Sequence, residues 1–222
     1  MHRPKRESPV ISVENPNQHH AQWWAARRGK ITGSRMHVIM DGGARAWQTL
    51  ADRLRLEALT DDIPEPDIEH VPAIAHGRKY EPIARTNAEL MLGYDFELPG
   101  FRQHPRYEFL GCSADAFAAP MPTEIKCPLV LETHLAVYRT QCMPREHIPQ
   151  VQCEIAVYDA PAALFISYHP AAPHWKMRTV ILQVPRDDLY IARMEERCCE
   201  FMRALHEHRS PSAAPSAIPR LF

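Results

Sequence analysis

The spacing of apolar residues along the chain predicts seven helices. In one of them Trp47, Leu50, Ala51, Leu54 and Ala58 recur every three or four positions, which places all five on one face of an amphipathic helix. The same spacing, read together with capping residues and glycines, predicts helices over residues 22–28, from Thr32 or Ser34 to residue 39, and over 47–59, 76–92, 131–141, 147–158 and 186–206.

Shorter stretches in which apolar residues alternate or run together predict strands over residues 107–113, 124–126, 164–168 and 177–184. Strands interleaved with helices indicate a small mixed β-sheet flanked by helices, in the α/β or α+β class. The 222 residues, 45% of them hydrophobic, are enough to bury one substantial core. We therefore expect one domain over residues 18–208, a mobile arm over 1–17, a loop over 61–67 and a flexible tail over 209–222.

The most distinctive polar pattern is Asp115 followed nine positions later by Glu124 and then by Lys126. Residues two apart on a strand face the same side, so Glu124 and Lys126 should point into one cleft. A turn over residues 120–122 would fold the strand over 107–113 back alongside and bring Asp115 close to Glu124. Carboxylates bind a hard cation such as Mg2+ through oxygen, and a nearby ammonium can hold or polarise water. The pattern therefore indicates a metal-dependent nuclease centre.

An alternative interpretation is that these charges lie on the solvated face of a strand. Ile125 and Cys127 argue against it, because alternation buries them on the opposite face, and charges on a core strand seldom lack a partner or a metal ion. The net charge of −1 argues against a protein that coats DNA nonspecifically. The six cysteines include no C-x-x-C pair, and no apolar run has membrane length, so we expect reduced core thiols in a cytoplasmic protein.

Five segments, taken in order, resemble those of the lambda exonuclease (YqaJ-type viral recombinase) family, a branch of the PD-(D/E)-x-K nuclease superfamily. They are residues 24–34 (WAARRGKITGS), 77–85 (GRKYEPIAR), 112–115 (CSAD), 124–128 (EIKCP) and 150–152 (QVQ). The resemblance extends over roughly residues 22–185. Where the family has Pro before the catalytic aspartate and Gly after it, this chain has Ala114 and Ala116, which leaves the metal-binding atoms unaffected but removes the freedom of a glycine at the bend.

By this resemblance the catalytic residues are Glu81, Asp115, Glu124, Lys126 and Gln150. Glu81 would be the helix carboxylate that joins Asp115 and Glu124 around two Mg2+ ions, for which Mn2+ can substitute, and the backbone carbonyl of Ile125 would be a further ligand. Lys126 would orient the attacking water, and Gln150 would support that lysine or the water. For Glu81 the alternative is an ordinary acid on a helix surface.

The resemblance also implies a pocket for the 5'-phosphate that is left after each cut. The matching residues are Arg27 or its neighbour Arg28, with Ser34 and Ser113, and a guanidinium with hydroxyls is suited to phosphate oxygens. Alternatively, the two arginines are a pair that complements the dipole at a helix end. Ile74 matches an apolar wedge that helps to part the strands of the duplex, and a core isoleucine is the alternative there.

The activity implied by the family is a Mg2+-dependent exonuclease that degrades one strand of linear double-stranded DNA from a free 5' end. It would release 5'-mononucleotides and leave a 3' single-stranded overhang for phage-type recombination by strand annealing. The expected partners are a homotrimeric ring and a single-strand annealing protein, in the cytoplasm of a bacterial host of a phage or prophage, without membrane association. Two alternatives are a structure-selective or nicking endonuclease on the same fold and a noncatalytic accessory protein that binds DNA ends.

Overall fold

Helices and two small sheets make up the computed structural model, which describes residues 21–60 and 70–207. The helices are α1 (Ala21–Arg27), α2 (Met36–Asp41), α3 (Ala44–Leu59), α4 (Pro72–Leu92), α5 (Leu131–Thr140), α6 (Ile148–Tyr158) and α7 (Asp188–His206). The strands are β1 (Ile31–Thr32), β2 (Arg102–Gln103), β3 (Leu110–Cys112), β4 (Ala116–Ala118), β5 (Met121–Lys126), β6 (Ala162–Tyr168) and β7 (Thr179–Pro185). Short 3-10 turns cover Gly33–Arg35, Arg145–His147 and Trp175–Met177.

The larger sheet has the strand order β4-β5-β6-β7, and the smaller has the order β1-β3-β2. In the larger sheet β5 runs parallel to β6, so that Glu124 lies beside Phe165 and Lys126 beside Ser167, while the outer pairs are antiparallel. Both sheets contain parallel and antiparallel pairs. This confirms the predicted class of a mixed sheet flanked by helices, with the strands divided between two sheets.

The predicted strand over residues 107–113 is wrong as the hairpin partner of β5. Only its end forms a strand, β3, and β3 belongs to the smaller sheet, whereas the antiparallel partner of β5 is β4. Gly111 allows β3 to approach β2 this closely, because a Cβ at this position would come within 2.3 Å of Phe101 Cζ and 2.6 Å of the Arg102 carbonyl oxygen. The chain therefore crosses from one sheet to the other between β3 and β4, and Asp115 lies on this crossing.

The core is organised around α6, whose residues from Val151 to Tyr158 are all buried. One apolar cluster joins α6 to α2, α3, α7 and the smaller sheet. A second cluster lies between the larger sheet and α4, where the side chains of Ala84 and Ala88 are fully buried. Helices α6 and α4 both pack on the larger sheet, so β5 is covered on both faces. Glu124 and Ile125, which are adjacent and point to opposite faces, are therefore both buried.

The predicted helices are present with shifted ends. Helix α4 begins at Pro72 rather than at residue 76 and contains Pro82, and Gly93 closes it as predicted, with φ of 81°. The chain adopts this left-handed conformation because glycine has no Cβ to clash. The capping prediction for Thr32 and Ser34 is wrong, since Thr32 lies in β1 and makes no side-chain capping hydrogen bond, while Ser34 lies in the 3-10 turn.

The apolar face of α3 is confirmed at four of its five predicted positions, whereas Ala58 is exposed and Glu57 is buried instead. Four of the six cysteines are buried, while Cys142 is exposed and Cys199 half-buried, and no disulfide joins them. The predicted arm over 1–17, the loop over 61–67 and the tail over 209–222 lie outside the described residues. No helix within residues 21–60 and 70–207 is long and apolar enough to cross a membrane.

Candidate active site

Asp115, Glu124 and Lys126 come together where β5 meets the crossing between the two sheets. Strand β5 carries Glu124, which is only 1% exposed, and its Oε1 forms an ion pair with Lys126 Nζ. The backbone N–H of Asp115 donates to the Thr123 carbonyl oxygen at 3.1 Å, and Asp115 Oδ2 accepts from the Ile125 N–H at 2.8 Å. The predicted neighbourhood of the two acids is therefore correct, although the hairpin that creates it is formed by β4.

Glu81 is the third carboxylate of this cluster and comes from α4, which packs on the larger sheet through small alanines. Burial and the charge of Glu124 raise the pKa of Glu81 above its ordinary value. Burial, Glu124 and Glu81 likewise raise the pKa of Asp115 well above the usual range. Since Glu124 disfavours the ionisation of Glu81 and of Asp115, and Glu81 that of Asp115, the three carboxyl groups form one electrostatically coupled centre.

Lys126 is the only cationic group among the predicted catalytic residues. Burial of the amine lowers its pKa, but the charges of Glu124 and Asp115 outweigh burial and raise the pKa overall. Lys126 Nζ also donates to Gln150 Oε1 at 3.4 Å. The ammonium is therefore held between a carboxylate of β5 and an amide of α6, as the predicted support by Gln150 requires.

The donor set fits a hard divalent cation. Three carboxyl groups supply only oxygen ligands, which Mg2+ prefers, and Glu124 Oε2 is buried without a hydrogen-bond partner in the part of the chain that the structure describes. In the present side-chain conformations no three acids, histidines or cysteines among residues 21–60 and 70–207 are arranged as a ready metal-ligand cluster. Lys126 and the Ile125 N–H occupy one oxygen each of Glu124 and Asp115, so these contacts must rearrange when a cation binds.

A second polar group lies at the C-terminus of α1. Arg27 Nη1 donates to Ser113 Oγ at 3.2 Å, and Nη2 donates to Ser34 Oγ at 3.3 Å. The three residues predicted to bind phosphate therefore meet at one point, although Ser113 is 86 positions from Arg27. Burial and the charge of Arg35 lower the pKa of Arg27 to about 10, which leaves it a cation at neutral pH. Because Arg27 reaches both serines, it is the candidate among the two adjacent arginines.

The remaining predicted residues have defined places but no contact that tests their role. Ile74 lies in the first turn of α4, seven positions before Glu81 and so on the same side of the helix. It is half-buried and belongs to neither apolar core cluster of the described residues, and its role as a wedge stays a prediction. Arg28 follows α1 and is also half-buried. The Ile125 carbonyl as a metal ligand stays a prediction.

Sequence reasoning missed two residues of these groups. Trp23 Nε1 donates to Ser113 Oγ at 2.9 Å, and its ring lies 4.1 Å from the guanidinium of Arg27. Trp23 therefore supports Arg27 and Ser113, two of the phosphate-pocket candidates. Glu154 is fully buried and accepts from Gln150 Nε2 at 3.2 Å. Its sequence signal is a single acid in the apolar stretch 151–157, four positions and one helical turn after Gln150.

Comparison with known proteins agrees with this architecture. Residues 22–161 match the model of the YqaJ-like viral recombinase domain. An alkaline exonuclease from Laribacter hongkongensis superposes with a TM-score of 0.75 and 29% identity over 85% of this chain and 94% of that one, and its complex with dAMP gives the same values. No curated protein matches this chain in sequence.

A phage-related exonuclease from Haemophilus somnus 129PT has the same fold at 13% identity, with a TM-score of 0.61 over 81% of this chain and 94% of that one. The family match covers more than half of the chain and includes β5, Glu81 and the phosphate-pocket candidates. The chain belongs to the YqaJ-like viral recombinase family.

Proposed function

We propose that this protein is a Mg2+-dependent exonuclease that degrades linear double-stranded DNA from the 5' end. It would release 5'-mononucleotides and leave a 3' single-stranded overhang for recombination by strand annealing. Family membership and the likeness to an alkaline exonuclease support a nuclease role in recombination. The polarity and the metal dependence are the parts that the proposal adds.

The observation that carries the proposal is the closeness of the carboxylate centre and the arginine–serine pocket. Ser113, which accepts from Arg27, and Asp115, which belongs to the acidic centre, are two positions apart on the crossing between the sheets. Gly33 lies between Thr32 and Ser34, and a Cβ there would lie 3.6 Å from Gln150 Cγ. A terminal phosphate bound to Arg27 would therefore lie near the carboxylates, which favours cutting close to an end.

Glu81, Asp115 and Glu124 would hold the Mg2+ ions, with the Ile125 carbonyl as a further ligand. When bound, the ions supply Lewis-acid activation and neutralise charge on the scissile phosphate. Lys126, whose pKa is raised, is an ammonium at neutral pH and can donate hydrogen bonds to water and to phosphate oxygens. We therefore assign to Lys126 the orientation of the nucleophilic water and the stabilisation of developing charge, and to Gln150 the support of that lysine.

By resemblance to the family we also propose a homotrimeric ring around the DNA and an annealing protein as partner. Light scattering of the purified chain tests the trimer, for which the expected mass is three times 25.5 kDa. A monomeric mass with full processive activity would contradict the ring.

The proposed activity is tested with linear duplex DNA labelled at either end, incubated with and without Mg2+. We expect 5'-mononucleotides from 5'-phosphorylated ends, no product without the metal, and no cutting of closed-circular duplex. Cutting of closed circles would instead support an endonuclease on this fold, and binding to ends without hydrolysis would support a noncatalytic accessory protein.

A further inference from the structure

Glu154 is a buried acid to which the proposed mechanism gives no role. It lies in the middle of α6 and is fully inaccessible to solvent, among apolar residues that form the centre of the protein. Placing a carboxyl group there opposes folding unless its oxygens find partners. The contacts of Glu154 therefore indicate what it does.

One oxygen of Glu154 determines how the amide of Gln150 is turned. Glu154 Oε1 accepts from Gln150 Nε2 at 3.2 Å, and Gln150 Oε1 then accepts from Lys126 Nζ at 3.4 Å. A side-chain amide has one end that donates and one that accepts. Because Glu154 takes the donating end, the accepting end is directed at the lysine ammonium.

The other oxygen of Glu154 is enclosed in the core. Glu154 Oε2 is buried and accepts no hydrogen bond from the described residues. Burial and the charge of Glu124 raise the pKa of Glu154 well above the usual range. The hydrogen bond to Gln150 is therefore the contact through which Glu154 can act on the site.

We propose that Glu154 is a positioning residue that fixes Lys126 through Gln150. Gln150 Oε1 accepts from the lysine ammonium, and Glu154 accepts from the other end of the same amide. The inference rests on the proposed nuclease function, because it assigns Glu154 to the lysine of that site. Partners that orient a functional group in this way commonly change activity by about ten- to hundredfold when they are removed.

The kinetic test compares Glu154→Leu, Glu154→Gln, Gln150→Leu and the double variant Glu154→Leu/Gln150→Leu. Glu154→Leu should lower kcat about ten- to hundredfold with an unchanged KM for DNA. Glu154→Gln should retain kcat within about threefold, because its amide oxygen can still accept from Gln150 Nε2. The double variant should be no slower than Gln150→Leu alone, since Glu154 acts through Gln150.

Gln152→Leu is the matched control for loss of a buried polar group on α6. Gln152 is 3% exposed, donates to the Pro185 carbonyl oxygen at 2.9 Å and accepts from the Asp187 N–H at 3.0 Å. Its substitution should lower the melting temperature and leave kcat unchanged. If Gln152→Leu lowers kcat as much as Glu154→Leu at the same melting temperature, the effect is one of general packing, and the proposal is overturned.

A second measurement is independent of hydrolysis. In the metal-free protein the 15N resonance of the Lys126 ammonium, identified by its loss in Lys126→Arg, should shift in Glu154→Leu and stay in place in Glu154→Gln and Gln152→Leu. An unshifted resonance in Glu154→Leu would overturn the positioning role. If wild-type protein cuts no DNA while the resonance shifts as expected, the proposed function fails and the positioning of Lys126 by Glu154 stands.

Discussion

The carboxylate centre and the arginine–serine pocket are neighbouring polar groups with opposite electrostatics. In the pocket, Arg27 donates to Ser113 and Ser34, and Trp23 donates to Ser113 as well. In the centre, three acids lie close together, and the pKa values of Glu81 and Asp115 are raised. Glu124 Oε2 is buried without a hydrogen-bond partner among the described residues.

The two groups contribute differently to folding. Hydrogen bonds already satisfy the polar groups of the pocket. The centre instead holds acids close together although their mutual repulsion and their burial oppose folding. A protein gains no stability from such a cluster in the absence of cations, and residues that oppose stability while the fold retains them are candidates for function. Substitutions should therefore separate stability from activity in the centre and change both only moderately in the pocket.

The largest effect is expected from Lys126→Ala. Removing the ammonium takes away the positive charge proposed to stabilise the reaction, and hydrolysis should fall by about a thousandfold or more. Binding of DNA, measured by fluorescence anisotropy without Mg2+, should change little. Lys79→Ala is the control, because Lys79 is exposed on α4 and lies over the ring of Tyr80. Equal hydrolysis by Lys126→Ala and wild type would contradict the catalytic role of Lys126.

Asp115→Asn should separate stability from activity. The amide oxygen can still accept from the Ile125 N–H, while one of the mutually repelling charges is removed. We expect activity to fall by about a hundredfold or more, because a charged group of the reaction centre is lost. The melting temperature of the metal-free protein should be unchanged or higher. The additional stabilisation by Mg2+, measured by thermal denaturation, should disappear.

Asp159→Asn is the matched control for this prediction. Asp159 is exposed, and its φ of 50° is a conformation that Asn adopts readily. The substitution should leave both Mg2+ stabilisation and hydrolysis as in wild type. A metal-free Asp115→Asn protein that melts well below wild type would contradict the view that the acids oppose folding.

The parts of the site that share one strand could be predicted from the sequence, whereas contacts between distant segments could not. Glu124 and Lys126 share one strand, so the period of two was enough to place them together, and Gln150 followed from the family motif. The partner strand was predicted wrongly, because the segment 107–113 is as strand-like as the real one, and Gly111, which fits it against Phe101 and Arg102, gives no such signal in a sequence. Contacts between distant segments, such as Trp23 with Ser113, depend on the assembled sheets and could not be derived from local patterns.

Arg27→Ala should produce a smaller effect that depends on the substrate end. Without the guanidinium, Ser34 and Ser113 lose a common donor, and a 5'-phosphate loses a charged partner. Digestion of 5'-phosphorylated DNA should slow by about ten- to hundredfold, as for a lost charge-assisted hydrogen bond, while digestion of 5'-hydroxyl ends should change less. Arg28→Ala, tested alongside, should show no such preference. Wild-type protein that treats both ends alike would refute the phosphate pocket.

The smallest expected effect is the pH dependence of Mg2+ binding. Burial and neighbouring charges raise the pKa values of Glu81 and Asp115, and a cation requires their ionised forms, so each bound ion displaces protons. Affinity measured by calorimetry should therefore rise with pH, by up to about tenfold per pH unit for each proton displaced, until the raised pKa values are passed.

The stability of the metal-free protein should change with pH in the opposite direction. The stability that these two acids contribute is fully present below their pKa values in the unfolded chain, and it is lost as pH rises through their raised pKa values in the folded protein. The increase in melting temperature caused by Mg2+ should consequently grow with pH in wild type and be nearly flat in Asp115→Asn, and equal slopes in the two proteins would show that these acids do not titrate with the cation.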